Sequence, residues 1–234
     1  MAAKKYYAVK KGTTTGIFED WASCSQAVTG FPGAVYKGFA TLAEAQAYLG
    51  LEGVQETVHG ETQAADYPVI PGRLLVYVDG SYNDALPRYA FGCVFLLADG
   101  EIRLACGNGD QPESLKSRNV TGEMLGAMYA VRTAMRNGYK EVELCYDYEG
   151  IEKWVTGAWK SKTDLTDKYA RAMREWSQSI RILFTKVTAH TNVKYNELAD
   201  ETAKRGLTEA NGVPKVGLLE ELELYADRQK NSGA

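Results

Sequence analysis

The sequence predicts a mixed α/β fold: a five-stranded mixed sheet flanked by helices and preceded by a small α+β domain. Three observations carry this. From Leu74 onward, apolar runs of strand length alternate with helical patterns. An acidic segment bearing Gly and Pro separates them from a shorter strand-and-helix pattern upstream. No window approaches the roughly 18 consecutive apolar residues that a membrane span needs. With 45% hydrophobic and 24% charged residues in 234, the composition suits one or two globular domains and excludes disorder and a collagen-like fibre.

The upstream pattern occupies residues 1–50. Tyr6-Tyr7-Ala8-Val9-Lys10 and Thr15-Gly16-Ile17-Phe18 flank a hairpin signal at Lys11-Gly12-Thr13-Thr14. Ser23 is placed to cap a short helix ending at Gly30, Phe31 to Phe39 reads as a third strand, and Thr41-Leu42-Ala43-Glu44 is a capping-box pattern opening a helix that ends near Gly50. Residues 51–72 carry four acids and no Lys or Arg, with Gly53, Gly60, Pro68, Pro71 and Gly72, and read as a flexible acidic linker holding a solvated His59.

Residues 73–208 form the larger domain. Leu74 to Val78, Phe91 to Leu97 and Glu101 to Cys106 read as an antiparallel meander joined by tight turns. Thr121 is placed to cap a helix with Leu125, Met128, Val131, Ala134 and Met135 on one side, stopped by Asn137-Gly138. Val142 to Tyr146 is a fourth strand, Glu149 to Val155 and Asp167 to Ser179 are helical, Ile180 to Phe184 is a fifth strand, and Asn196 to Lys204 is a final helix. The order β-β-β-α-β-α-α-β-α calls for crossover connections and helices on both faces of the sheet. Residues 209–234 read as a polar C-terminal tail.

The N-terminus lacks the apolar run of a signal peptide, so a cytoplasmic location is expected. The four cysteines form no Cys-x-x-Cys pair and there are two histidines, which is not the donor set of a dedicated zinc site; reduced, mostly buried thiols are expected.

Four acids occupy informative positions: Asp79 where the first strand of the larger domain ends, Glu123 in the first turn of its first long helix, Asp147 where the fourth strand ends, and Asp200 in the final helix. Singly, each has an ordinary explanation as a turn, dipole, cap or solvated residue. Together, strand ends and helix starts at one sheet edge can converge. Val78-Asp79-Gly80-Ser81, Thr121-Gly122-Glu123-Met124, Tyr146-Asp147-Tyr148, and His190 followed by Asn196-Glu197-Leu198-Ala199-Asp200 resemble the ordered motifs of ribonuclease H type 1. Upstream, Tyr7-Ala8-Val9-Lys10-Lys11-Gly12, Trp21, Phe31-Pro32-Gly33-Ala34 and Tyr36-Lys37-Gly38-Phe39 resemble the caulimovirus viroplasmin-like hybrid-binding domain that precedes many such nucleases.

The resemblance implies an endonuclease that hydrolyses the RNA strand of RNA-DNA hybrids without sequence specificity, leaving 5′-phosphate and 3′-hydroxyl ends. Its implied cofactors are two Mg²⁺ ions bound with substrate, with Mn²⁺ as a possible substitute, because hard cations take carboxylate oxygens. In that family Asp79 would bridge both ions, Asp200 would complete the water-activating ion, Glu123 with Asp147 would hold the other, and His190 would move protons or release product. Implied nucleic-acid contacts are Gly80, Ser81 and Asn119 on the RNA riboses, Trp159 and Lys160 on the DNA strand, and Tyr7, Trp21, Tyr36 and Lys37 in the first domain. Arg118 departs from the small hydroxyl residue common at its position. The stretch Lys153 to Arg174 holds six basic and two acidic residues interrupted by Trp154 and Trp159, which suits either a DNA-facing surface or a solvated helix with core tryptophans. The expected partner is an RNA-DNA hybrid, with no membrane and a monomeric chain. The alternatives are a non-catalytic hybrid-binding protein and a related two-metal DNA nuclease or phosphatase.

Overall fold

The computed structural model describes residues 5–50, 54–56, 70–187 and 194–226. In chain order the elements are β1 (Tyr6–Lys11), β2 (Gly16–Phe18), α1 (Trp21–Val28), β3 (Val35–Phe39), α2 (Leu42–Leu49), β4 (Val54–Glu56), β5 (Arg73–Asn83), β6 (Arg88–Leu96), β7 (Ile102–Gly109), α3 (Pro112–Leu115), α4 (Asn119–Arg136), β8 (Glu141–Tyr146), α5 (Gly150–Thr156), α6 (Asp164–Trp176), β9 (Arg181–Lys186), α7 (Lys194–Glu209) and β10 (Glu223–Leu224). The described residues gather into two compact units, one drawn from Met1–Glu56 and Glu149–Ile182, the other from Thr57–Tyr148 and Leu183–Ala234. Most of segment 51–72, including His59, and the loop carrying His190 lie outside the described residues.

In the first unit a three-stranded antiparallel sheet of order β2-β1-β3 carries a small core of Val9, Phe18, Cys24, Ala27 and Val28. The capping box at Thr41 forms as its sequence predicts, with Glu44 N–H on Thr41 Oγ1 and the Glu44 carboxylate returning to Thr41 N–H. Ser23 is not the cap of α1. Asp20 takes that position and accepts from Ser23 N–H and Ser23 Oγ–H at 2.7 and 2.8 Å, because a carboxylate three residues upstream reaches the free amides of the first turn. The third strand is shorter than expected, starting at Val35 after a turn at Gly33 with φ of 71°. In the helical pair of this unit, the half-buried Arg174 guanidinium donates to the carbonyls of Val155 and Trp154, so its charge caps the end of α5.

The second unit holds the expected mixed sheet, with strands in the order β10-β7-β6-β5-β8-β9. Pairings β5–β6 and β6–β7 are antiparallel, and β5–β8 is parallel. One face buries Leu75, Tyr77, Val94, Leu96, Leu104 and Cys145 against Leu198 and Ala199 of α7. The other packs on α4, where Tyr129 meets Phe91 and Phe95 at ring-centroid distances of 5.4 and 6.5 Å. Burial on both faces explains why these strands read as continuous apolar runs. Within the sheet, buried Glu143 accepts from Arg73 and Thr185 at 2.9 and 2.7 Å, which ties β5, β8 and β9 together.

The segment read from sequence as a tail is built into the fold through its described residues. Buried Asn108 donates to the carbonyls of Gly206 and Ala210 and accepts from Gly212 N–H, while Asn137 accepts from Leu219 N–H. β10 then pairs with β7, covering what would otherwise be an open sheet edge.

Both long helices approach the sheet at glycines. A Cβ on Gly92 would lie 2.3 Å from the Ala199 carbonyl oxygen of α7, and one on Gly122 would lie 2.0 Å from the Ala90 carbonyl oxygen of β6. These neighbours are backbone atoms that cannot rotate away. Gly92→Ala should therefore destabilise the protein by about 1–3 kcal/mol, the usual cost of overpacking, read as a lower urea midpoint at unchanged m-value.

Candidate functional site

Strand register brings the first two acids together. Parallel pairing runs from Arg73 with Glu141 to Tyr77 with Cys145, and carrying it two residues further sets Asp79 beside Asp147 on the same face as Tyr77 and Cys145. That face is the one covered by α7, which carries Asp200. Glu123 comes from the opposite face, on α4. Its route crosses Gly80, where a Cβ would stand 2.7 Å from Glu123 Cγ and 2.2 Å from the Asn119 carbonyl oxygen. Gly80 thus clears the space through which Glu123 reaches Asp79, and its own N–H donates to Asp79 Oδ1 at 2.6 Å.

The result is a compact acidic group: one carboxylate oxygen from each of Asp79, Glu123 and Asp147 lies within 4.8 Å of the others. Asp79 and Glu123 are buried, with exposures of 9% and 2%. Burial, and then repulsion from Asp147, pushes the Asp79 carboxyl up to about 7, against the Gly80 hydrogen bond. Burial, with repulsion from Asp147 and Asp79, takes Glu123 up to about 9. Glu123 Oε2 has no hydrogen-bond partner. An unpartnered oxygen of a buried carboxyl among like groups fits a bound hard cation, and without one burial keeps the group protonated. Asp200 stands outside the group of three, and its Oδ2 accepts from Lys204 Nζ at 2.5 Å, an ion pair that the sequence reading did not single out. The available signal was the four-residue spacing along one helix.

The helix bearing Glu123 begins earlier than its sequence suggests. α4 starts at Asn119, so Glu123 sits in its second turn, and Thr121 is not a cap; its Oγ1 donates to the Ser114 carbonyl at 2.6 Å. Arg118 stands at the cap position with φ of 50°, the only positive φ outside glycine among the described residues. Its guanidinium lies 5.6 Å from the Tyr82 ring centroid and 3.6 Å from Asp84. Of the other expected nucleic-acid contacts in this unit, Asn119 is exposed at the start of α4, and Gly80 and Ser81 are half-buried at the end of β5. Glu197 is exposed on α7.

In the first unit, Tyr7, Trp21 and Tyr36 form a run of rings, with centroids 5.4 Å apart for the first pair and 5.8 Å for the second. Trp21 and Tyr36 are exposed at 49% and 43%, while Tyr7 is half-buried against the small core. Lys37 is exposed on the same strand as Tyr36. In the basic stretch from Lys153 to Arg174, Trp154 is buried and Arg174 half-buried, whereas Trp159 and Lys160 are exposed. Lys160 Nζ lies 4.4 Å from the Phe18 ring centroid. Cys24, Cys93 and Cys145 are buried, Cys106 is half-buried, and all are free thiols.

Two family models match the chain. A family model described as Ribonuclease H1 N-terminal domain matches residues 5–49, and one described as RNase H matches residues 71–208. The chain is similar to Ribonuclease H1 of Rattus norvegicus, 26% identical over 261 residues that cover 88% of this chain and 90% of the rat protein. A stretch of 42 residues, 18% of this chain, is 48% identical to the transactivator/viroplasmin protein of Cauliflower mosaic virus (strain Bari 1), covering 8% of the viral protein. Among solved structures, RNase H1 from the halophilic archaeon Halobacterium salinarum NRC-1 superposes with a TM-score of 0.50 at 25% identity, over 59% of this chain and 99% of that one.

The raised carboxyls make stability fall with pH in a chelating buffer. A carboxyl whose folded pKa lies above its unfolded value, 3.8 for Asp79 and 4.5 for Glu123, keeps its proton preferentially in the folded chain. Stability is then lost as pH rises from the unfolded pKa through the folded one. The Tm of the metal-free protein should drop between about pH 5 and pH 8, and Asp79→Asn should flatten this slope and raise the Tm at the upper end by a few degrees. Calorimetry across that range checks it, and a variant with the wild-type slope would contradict it.

Proposed function

The chain belongs to the RNase H family and is an endonuclease of the RNA strand of RNA-DNA hybrids, and on that premise we propose that Asp79, Glu123, Asp147 and Asp200 hold two divalent ions, Mg²⁺ by preference, at which the phosphodiester is cut. The observation that carries this reading is the convergence of Asp79, Glu123 and Asp147 oxygens within 4.8 Å around the unpartnered Glu123 Oε2. Divalent ions held there supply a nucleophilic water at neutral pH and neutralise charge on the phosphate, which carboxylates alone cannot do.

The chain's own groups do the rest. Asp79, held by the Gly80 N–H and feeling the charges of Asp147 and Asp200, would be a ligand common to both ions. Glu123 with Asp147 would hold the ion that stabilises the departing 3′ oxygen, and Asp200 would complete the one that activates water. His190 is assigned a proton-transfer or product-release role from its motif, and the products are a 5′-phosphate and a 3′-hydroxyl. Hybrid selectivity comes from the backbone at Gly80 and Ser81 with the side chain of Asn119, through 2′-hydroxyl contacts along the RNA strand. Trp159 and Lys160 contact the DNA strand, and Tyr7, Trp21, Tyr36 and Lys37 grip the hybrid in the first domain. Rings and ammonium groups read sugars and phosphates, so no sequence preference follows.

Labelled RNA-DNA, RNA-RNA and DNA-DNA duplexes in Mg²⁺ should give cleavage of the RNA strand of the hybrid alone. Asp79→Asn should abolish that cleavage while leaving hybrid binding nearly intact, and retention of more than about a tenth of wild-type kcat would sink the site assignment, since one lost transition-state contact usually costs about a hundredfold. Deleting residues 1–50 should raise KM on long hybrids by roughly tenfold or more with kcat nearly preserved, because a tethered binding domain acts through local concentration. An unchanged KM at physiological salt would remove the hybrid clamp from the first domain.

A further inference from the structure

Lys204 lies one helical turn beyond Asp200 on α7, with its Nζ 2.5 Å from Asp200 Oδ2. The same four-residue spacing recurs in Lys168 with Asp164 and Arg171 with Asp167, pairs on α6 of the kind that commonly decorate an exposed helix. Lys204 differs in what its acceptor does. Asp200 is the fourth acid of the site, and the Lys204 charge is felt at Asp79, where it opposes the repulsion from Asp147 and Asp200. The lysine is 62% exposed and its carboxylate partner 30%, so the ammonium has a solvent-side path away from Asp200. Its flexible four-carbon stem allows that movement without disturbing the helix.

We propose that Lys204 is an internal counter-cation of the carboxylate site, which holds Asp200 in the metal-free protein and competes with a divalent ion for it. The proposal rests on the metal-dependent reading above and adds a regulatory property to it. An ion that uses Asp200 has to break the pair with Lys204 and then sit near a displaced positive charge. Both effects weaken ion binding to the free protein. A nucleic-acid phosphate relieves both, because it offers the displaced ammonium a new anion and adds negative charge for the ion. Lys204 therefore couples filling of the Asp200 side of the site to the arrival of substrate.

The test is isothermal titration of the full chain with MgCl₂ and no nucleic acid, comparing wild type, Lys204→Met, Lys204→Arg and Asp79→Asn. Lys204→Met keeps the apolar stem and removes the charge. It should bind Mg²⁺ roughly tenfold more tightly, the size expected for removing one positive charge a few ångströms from a divalent ion in a solvated site. The Mg²⁺ concentration giving half of the maximal Tm increase should fall in step, whereas that for half-maximal cleavage should fall much less, because bound hybrid already relieves the competition. Lys204→Arg should stay close to wild type. Unchanged or weaker Mg²⁺ binding by Lys204→Met, with Asp79→Asn abolishing binding, overturns the competition and leaves an ordinary helical ion pair. Mg²⁺ binding by Asp79→Asn as tight as wild type overturns the carboxylate metal site itself, which separates the two failures.

Discussion

The structure is organised around a repulsion. Asp79, Glu123 and Asp147 are driven into a space where each raises the cost of ionising the others, and two of the three are buried. Nothing in the local chemistry favours that gathering in the absence of a cation. It is imposed by elements whose stability comes from elsewhere: two apolar faces of a sheet, one closed by α4 and the other by α7. The site is a small, unfavourable region held in place by a large, favourable one, a common way for catalytic geometry to persist.

Close helix-sheet approach transmits that constraint. Gly80 and Gly122 let α4 lie on β5 and β6 at backbone contact, and Gly92 does the same for α7. A side chain at any of these positions would push its helix outward and carry Glu123 or Asp200 away from Asp79. The strands contribute through register alone, since Asp79 and Asp147 need no contact with each other to be neighbours once Tyr77 faces Cys145. Lys204 answers the same repulsion from within α7, as a positive charge of the chain's own at the rim of the acidic group.

The first unit works on a different principle. Its core is small, and beside it stands a chain of tilted aromatic rings, Tyr7, Trp21 and Tyr36, of which the last two are left exposed. Exposed rings in line, with Lys37 on the same strand, are suited to sugars and phosphates in any sequence. Tyr7 is at once a wall of the core and the first ring of that line.

The sequence by itself determined the order of strands and helices in the larger domain, because period-2, period-3.6 and turn signals are local and survive without tertiary context. It also marked Asp79, Glu123 and Asp147, the three acids that converge, through motifs in which each carboxylate has a distinctive neighbour. Caps were less legible. Asp20 rather than Ser23 closes α1, and α4 begins at Asn119 under a strained Arg118, because several residues in each stretch have side chains able to meet the same free amides. Three features were decided only by the tertiary structure. Residues following α7 look like a tail because they are short, polar and aperiodic, yet Asn108 and Asn137 bind their backbone and β10 completes a sheet edge. The unpartnered Glu123 oxygen and the division of the basic stretch into buried Trp154 and exposed Trp159 likewise depend on which surfaces meet. Local periodicity says which residues share a face, but only packing between elements distant in sequence decides what that face touches.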